Sequence, residues 1–198
     1  MIPLWRVTRN RYARRVYDTL DAVGITATSM LEFEADVAAP TPVRQEAIPE
    51  GVSIDAAPTT EDPVRSLDLD FSIPVTYLDD EWIVVARTDD GPVGRALVSR
   101  GQRPYVAPLH EAIRFDGAYV RRVYVDRRWR NEGIATRLVG ESLAVAGAEL
   151  GSDTAHALIA ADNKPSRWVF EANGFRPVRR HEYARLFGLE HRRTTELQ

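Results

Sequence analysis

A strand that runs straight into a glycine-started helix constrains this chain more than anything else in it. Ala118-Tyr119-Val120-Arg121-Arg122-Val123-Tyr124-Val125 is dominated by valine and tyrosine, residues that suit a pleated, half-buried surface. The run stops at Asp126, and a polar stretch follows through Asn131. From Gly133 to Leu150, Ile134, Leu138, Val139, Leu143 and Val145 recur at helical spacing, with Gly151 just beyond the end. A helix that begins this way leaves several backbone N–H groups without partners inside the helix, all directed at one spot. The helix dipole adds positive potential there, so the spot attracts anions. Gly133 has no side chain and Ala135 only a methyl, which lets a phosphate lie against the backbone.

The rest of the chain reads as a sheet with helices on its faces. Val52-Ser53-Ile54 is a short strand, and Pro58 to Asp62 a loop carrying a helix N-cap. Trp82 to Ala86 and Val93 to Val98 are β-rich and separated by Asp89-Asp90-Gly91-Pro92, a hairpin signal. Ala155 to Ala160 is a short apolar strand. Asn163-Lys164-Pro165 then opens a second helix that runs to about Ala172 and stops at Asn173-Gly174, because proline is well tolerated at the first helical position. Phe175 to Leu186 supplies one or two strands. This order predicts an α/β (α+β) domain, a single mixed sheet flanked by helices, over residues 51–190.

Two further segments frame it. Residues 1–50 form an N-terminal extension: Tyr12, Val16, Leu20 and Val23 make an apolar stripe on a helix from Thr8 to Val23, and Pro40, Pro42 and Pro49 mark a linker. The stripe would dock on the same domain or on a second subunit, as in a homodimer. Arg9, Arg11, Arg14 and Arg15 read as a solvated face. Residues 191–198 read as a polar tail.

Composition removes several function classes. The chain has no cysteine, which excludes disulfides, cysteine-ligated metals and thiol nucleophiles. A net charge of −3 gives no whole-chain field for nucleic acid. No stretch approaches the roughly 18 apolar residues of a membrane span, and the first residues lack an apolar leader, so a cytoplasmic protein is expected.

Arg130-Asn131-Glu132-Gly133-Ile134-Ala135 matches the Q/R-x-x-G-x-G/A pattern, and Asn163, Ser166, Phe170 and Gly174-Phe175 follow about thirty residues on. Together they resemble the GNAT superfamily of N-acyltransferases, strongly from Ala118 to Phe175 and weakly from Gly51 to Val98. The resemblance implies a bound acyl-CoA; the leading expectation is acetyl-CoA, with no metal. Its pyrophosphate would lie on the amides of Arg130 to Ala135 and its pantetheine beside Val123 and Val125. The Val125 amide would face the thioester carbonyl, and Asn163 and Ser166 would contact the pantetheine arm.

The chain departs from the family in two places. Phe170 stands where many relatives carry a tyrosine that protonates the leaving thiolate. The strand before the motif offers Arg121, Arg122 and Tyr124 where relatives often carry a glutamate base. Glu111 and Tyr183 are the first base or acid candidates, with Asp79, Asp80, Glu81, His110, His181 and Glu182 behind them. Three functions compete: acetyl transfer to a primary amine of a small molecule or protein, a non-catalytic acyl-CoA-binding module, and acyl transfer to an amine carried on nucleic acid.

Overall fold

The computed structural model describes residues 25–38, 48–60 and 77–197. Its elements are β1 Ile25–Asp36, β2 Ser53–Pro58, β3 Trp82–Thr88, β4 Gly91–Arg100, β5 Tyr105–Val106, β6 Glu111–Ala112, β7 Ala118–Val125, α1 Ile134–Ala148, β8 Thr154–Ala160, α2 Lys164–Glu171, β9 Arg176–Leu186 and β10 Leu189–Glu196. Eight strands form one sheet in the order β10-β9-β1-β8-β7-β4-β3-β2, and β5 pairs with β6 in a small ribbon. All neighbours are antiparallel except β7 and β8, which makes the sheet mixed as expected.

Period-two alternation decides which side chains face the helices. Leu31, Phe33 and Ala35 of β1, Val84 and Ala86 of β3, Ala96 and Val98 of β4, and Ala155, Ala157 and Ile159 of β8 point to one face. There they pack against Ile134, Leu138, Val139 and Leu143 of α1 and Phe170 of α2. On the opposite face, Met30, Leu158 and Tyr183 pack under Val106, Leu109 and Ile113 from the connection between β4 and β7.

The structure departs from the sequence reading at both ends of the domain. Residues 25–36, assigned above to the extension, form a strand inside the sheet. β1 pairs with β8 from Met30↔Ala160 to Asp36↔Thr154 and with β9 from Ile25↔Leu186 to Glu34↔Arg176. Its partners are far away in sequence, and the alternation of Leu31, Phe33 and Ala35 with Glu32 and Glu34 does not by itself place it in the sheet. Residues 189–196, read mostly as a polar tail, form the edge strand β10, whose exposed side chains hide a full backbone ladder with β9. The expected helix from Thr8 to Val23, most of the proline-containing linker and the helix after Pro58 lie outside the described residues.

At its start, β7 is pinned to β8. The Ala118 amide donates to Ser152 Oγ (2.9 Å), which donates to Thr154 O (2.9 Å), while Thr154 Oγ1 donates to Asp116 O (2.9 Å). A Cβ on Gly117 would collide with the Oγ1 and carbonyl oxygen of Thr154. Gly117→Ala should therefore cost about 2 kcal/mol, the usual range for overpacking a rigid site. Denaturant unfolding checks this, and an unchanged midpoint would show that the strand start yields freely.

Candidate functional site

β7 and β8 are paired only at Ala118↔Ala155 and Tyr119↔His156; beyond these the two strands separate. The other edge of β7 stays on β4, but with an irregularity. Leu97 opposes Arg121 and Arg95 opposes Tyr124, so two residues of β7 face Ala96 alone. This is a β-bulge, and Arg122 adopts φ +55 to make it. The bulge shifts the alternation, so that Val120, Val123 and Val125 all reach the helical core.

It also fixes the direction of the Val125 amide. The Asp126 N–H donates to Val93 O on β4 at 2.8 Å. Adjacent residues of a strand use opposite edges, so the N–H and C=O of Val125 face the gap toward β8. Arg130 Nε donates to that carbonyl at 3.0 Å, and its guanidinium lies 5.7 Å from the Tyr124 ring centroid. The amide itself is left directed into the gap.

The turn beyond the strand is built by its own side chains. Asp126 Oδ1 accepts from the Arg128 amide (2.9 Å) and from Arg128 Nε (3.3 Å). The amide bond first, and then the Arg128 side chain, hold the Asp126 carboxyl below its usual range. Asn131 (φ +67) and Gly133 (φ +72) take the left-handed region, and Gly133 is the N-cap of α1. The Arg137 amide is the one that reaches the Gly133 carbonyl (3.0 Å). The amides of Ile134, Ala135 and Thr136 precede the helical ladder, as the first N–H groups of a helix must. The gap between β7 and β8 thus opens toward a concentrated set of donors, an arrangement that attracts an anion.

The second sequence block supports the first. Asn163 caps α2, its Oδ1 accepting from the Ser166 amide at 3.4 Å. Asn173 Nδ2 donates to Thr136 O (3.1 Å) and to Val169 O (2.8 Å), tying the end of α2 to the first turn of α1. Sequence reading took Asn173 for a helix stop and missed this strut. Phe170 is buried in the core, its ring edge-on to Phe175 at 4.9 Å between centroids.

The face away from α1 and α2 carries the titratable groups. Glu81, buried, forms a two-pronged ion pair with Arg121 (2.7 Å for each oxygen), so one of the base candidates is held by a neighbouring cation. Tyr183 is also buried. Its hydroxyl donates to Glu190 Oε1 at 3.1 Å and its ring stacks on His110 at 4.8 Å. Burial, then the bond to Glu190, raise its phenol above the usual value. Glu111 lines a cavity of about 370 Å³ together with Arg103, Arg114, His181 and Thr194.

Sequence reading did not single out Glu32 on β1, which is buried at the centre of this face. Its carboxylate accepts from His156 Nδ1 (3.1 Å), His181 Nε2 (2.8 Å) and Arg179 Nη1 (3.2 Å). Burial pushes the carboxyl up, but the two histidine hydrogen bonds and the Arg179 charge outweigh it and hold Glu32 at about 2. It lies in the segment that sequence reading assigned to the extension. Its partners are 124 and 149 residues away.

Known proteins share this architecture. The chain resembles a GCN5-related N-acetyltransferase from Kribbella flavida (17% identity, 81% of this chain and 59% of that one, TM-score 0.54). A GCN5-related N-acetyltransferase from Sphaerobacter thermophilus is similar over 96% of this chain and 58% of its own (15% identity, TM-score 0.54). A tandem GNAT protein from the clavulanic acid biosynthesis pathway, at 18% identity, covers 94% of this chain and 59% of its own (TM-score 0.53). The chain therefore spans just under three fifths of each of these relatives. No match was found among curated protein sequences. The sequence model of the Acetyltransferase (GNAT) family matches residues 52–175, which contain the bulged strand, the donor-rich turn and the capped second helix. The chain belongs to that family.

Proposed function

We propose that this protein is an N-acetyltransferase that passes an acetyl group from acetyl-CoA directly to a primary amine within a ternary complex. The observation that carries the reading is the gap between β7 and β8, which opens onto the unpaired amides at the start of α1. Those amides, from Arg130 to Ala135, would hold the pyrophosphate, with Arg127, Arg128 and Arg137 adding positive charge nearby. Val123 and Val125 would flank the pantetheine, with Asn163 and Ser166 near its other side. The Val125 N–H would donate to the carbonyl oxygen as charge develops there; losing one such preorganised donor costs on the order of 3 kcal/mol in other enzymes. The bound thioester supplies the activated acetyl group, and the chain supplies position, the oxyanion donor and a route for the proton.

Phe170 has no proton to give, so the leaving thiolate is protonated by solvent or by another group. This residue favours one competing reading, a module that binds acyl-CoA without turning it over. No helix among the described residues is long and apolar enough to cross a membrane, and a cytoplasmic location fits this reading. The arginines from Arg9 to Arg15, whose charge would suit a nucleic-acid-linked acceptor, lie outside the described residues. Docking of the Thr8–Val23 stripe, in the same domain or across a homodimer, remains a proposal of its own.

The test has two arms. Acetyl-CoA at about a hundred times its dissociation constant should stabilise the fold by about 2.7 kcal/mol, read as a thermal shift. Free thiol should then appear when an amine panel is added. Binding without thiol release on any amine would favour the module, and no shift at millimolar CoA would remove both readings.

A further inference from the structure

We infer that the cavity between the connection 101–114 and strands β9 and β10 is the acceptor pocket, and that it selects a small primary amine carrying a carboxylate. This rests on the acetyl-transfer reading above.

Position argues first. The cavity lies on the face of the sheet away from α1 and α2, walled by His181 of β9 and Thr194 of β10. His181 pairs with Met30, which pairs with Ala160 at the far end of β8. That is the end where β7 and β8 stand apart. Two strand spacings, roughly 10 Å, separate β9 from β8, a distance that an extended amine side chain can cross. At about 370 Å³ the cavity is near the lower end of small-molecule sites.

Charge argues second. Among the described residues neither Arg103 nor Arg114 takes part in an ion pair. Arg103 uses only Nε, donating to Ala112 O at 3.1 Å, which leaves its terminal nitrogens available. Two arginines lining one cavity match a carboxylate, the pairing that arginine geometry favours. Glu111 on the same wall matches an ammonium. The pocket therefore carries both halves of the complement to an amino-acid-like zwitterion, with a net positive excess that rejects simple cationic amines.

The third argument is a base. The Glu32 carboxylate accepts from His181 Nε2, so the ring proton sits there and the lone pair is at Nδ1, 3.3 Å from Thr194 Oγ1 on the cavity wall. The groups facing this pair are Arg179 and His156, both on Glu32, together with Thr194, Glu111, Arg103 and Arg114. The acceptor's reacting ammonium would pass one proton to His181 Nδ1 by relay through solvent and the Thr194 hydroxyl. The resulting imidazolium would stay paired with Glu32. The freed amine nitrogen then forms its bond to the acetyl carbon as the carbon–sulfur bond breaks, and the departing thiolate takes a proton from solvent. His181 is the catalytic residue of this step and Glu32 its positioning residue.

The experiment compares lysine, ornithine and 2,4-diaminobutyrate with their decarboxylated counterparts cadaverine, putrescine and 1,3-diaminopropane, using the full chain at saturating acetyl-CoA and following thiol release. The carboxylated member of each pair should have a kcat/KM at least tenfold higher. Arg114→Gln and Arg103→Gln should raise KM for the carboxylated amines about tenfold or more and lower it for the decarboxylated amines, leaving CoA binding unchanged. Equal use of both members of each pair, turnover only on lysines within peptides, or an unaltered preference in both arginine variants would overturn the proposal. Calorimetric titration with the same amines separates this proposal from the reading it rests on. Arg114-dependent binding of carboxylated amines without turnover would support the pocket and sink acetyl transfer.

Discussion

Gly133→Glu is expected to reduce CoA affinity by more than a hundredfold, at least 2.7 kcal/mol, while the sheet and its core stay intact. The donor cradle consists of backbone N–H groups, so no side-chain deletion can remove it. It must be blocked or charged. A glutamate at this N-cap projects a carboxylate into the space where a diphosphate would meet the amides of Ile134, Ala135 and Thr136. Like charge then opposes binding at the point where the helix dipole would have favoured it. The substitution also forces a side chain onto a residue at φ +72, a left-handed strain of about 1 to 2 kcal/mol for residues other than glycine. Gly133→Ala carries the same strain without the charge and serves as the control. Calorimetry with CoA on both variants makes the distinction. A large loss in glutamate and a small one in alanine places the pyrophosphate on this turn, whereas full affinity in the glutamate variant would mean that the pyrophosphate binds elsewhere.

What could be read from the sequence follows the range of the interactions involved. Strand β7 from Ala118 to Val125, the turn through Asn131 and the start of α1 are specified by neighbours in the chain, and they stand where valine content, a polar run and a glycine place them. The cap of α2 at Asn163 is equally local. The bulge at Arg122 was not legible, because an arginine in a strand gives no sign that its φ is positive; the register with β4 imposes it. β1 was hidden for a different reason. Leu31, Phe33 and Ala35 alternate with Glu32 and Glu34, a pattern that fits a half-exposed strand as well as an extension. Only pairing with β8 and β9 reveals that it is buried on both edges. Tyr183 looked like a free hydroxyl in a strand, yet Glu190, seven residues on across the β9–β10 turn, holds it. His181 was legible as a candidate, but the cluster around it was not: Glu32, His156 and Thr194 come from three other strands.

Glu32 links the cluster on that face to stability, and its effect should be large in two measurements. Its carboxyl is held at about 2 against an ordinary value of 4.5. Between those values the unfolded chain binds the proton that the folded chain refuses, so stability rises with pH across the window. The contribution is complete above about 4.5 and lost as pH falls through about 2. A depression of that size corresponds to about 3 kcal/mol at neutral pH. Glu32→Gln removes it. An amide cannot serve His156, His181 and Arg179 together, and it leaves buried donors unsatisfied, with a cost of about 3 to 5 kcal/mol for breaking a buried ionic cluster from one side. Urea unfolding at neutral pH should show that loss. Repeating it from pH 6 to pH 2 should show the wild type declining toward the variant, with the gap between them closing in the acid. A variant with undiminished stability, or a gap that stays constant to pH 2, would mean that the three donors find other acceptors and that Glu32 does not hold β1 between β8 and β9.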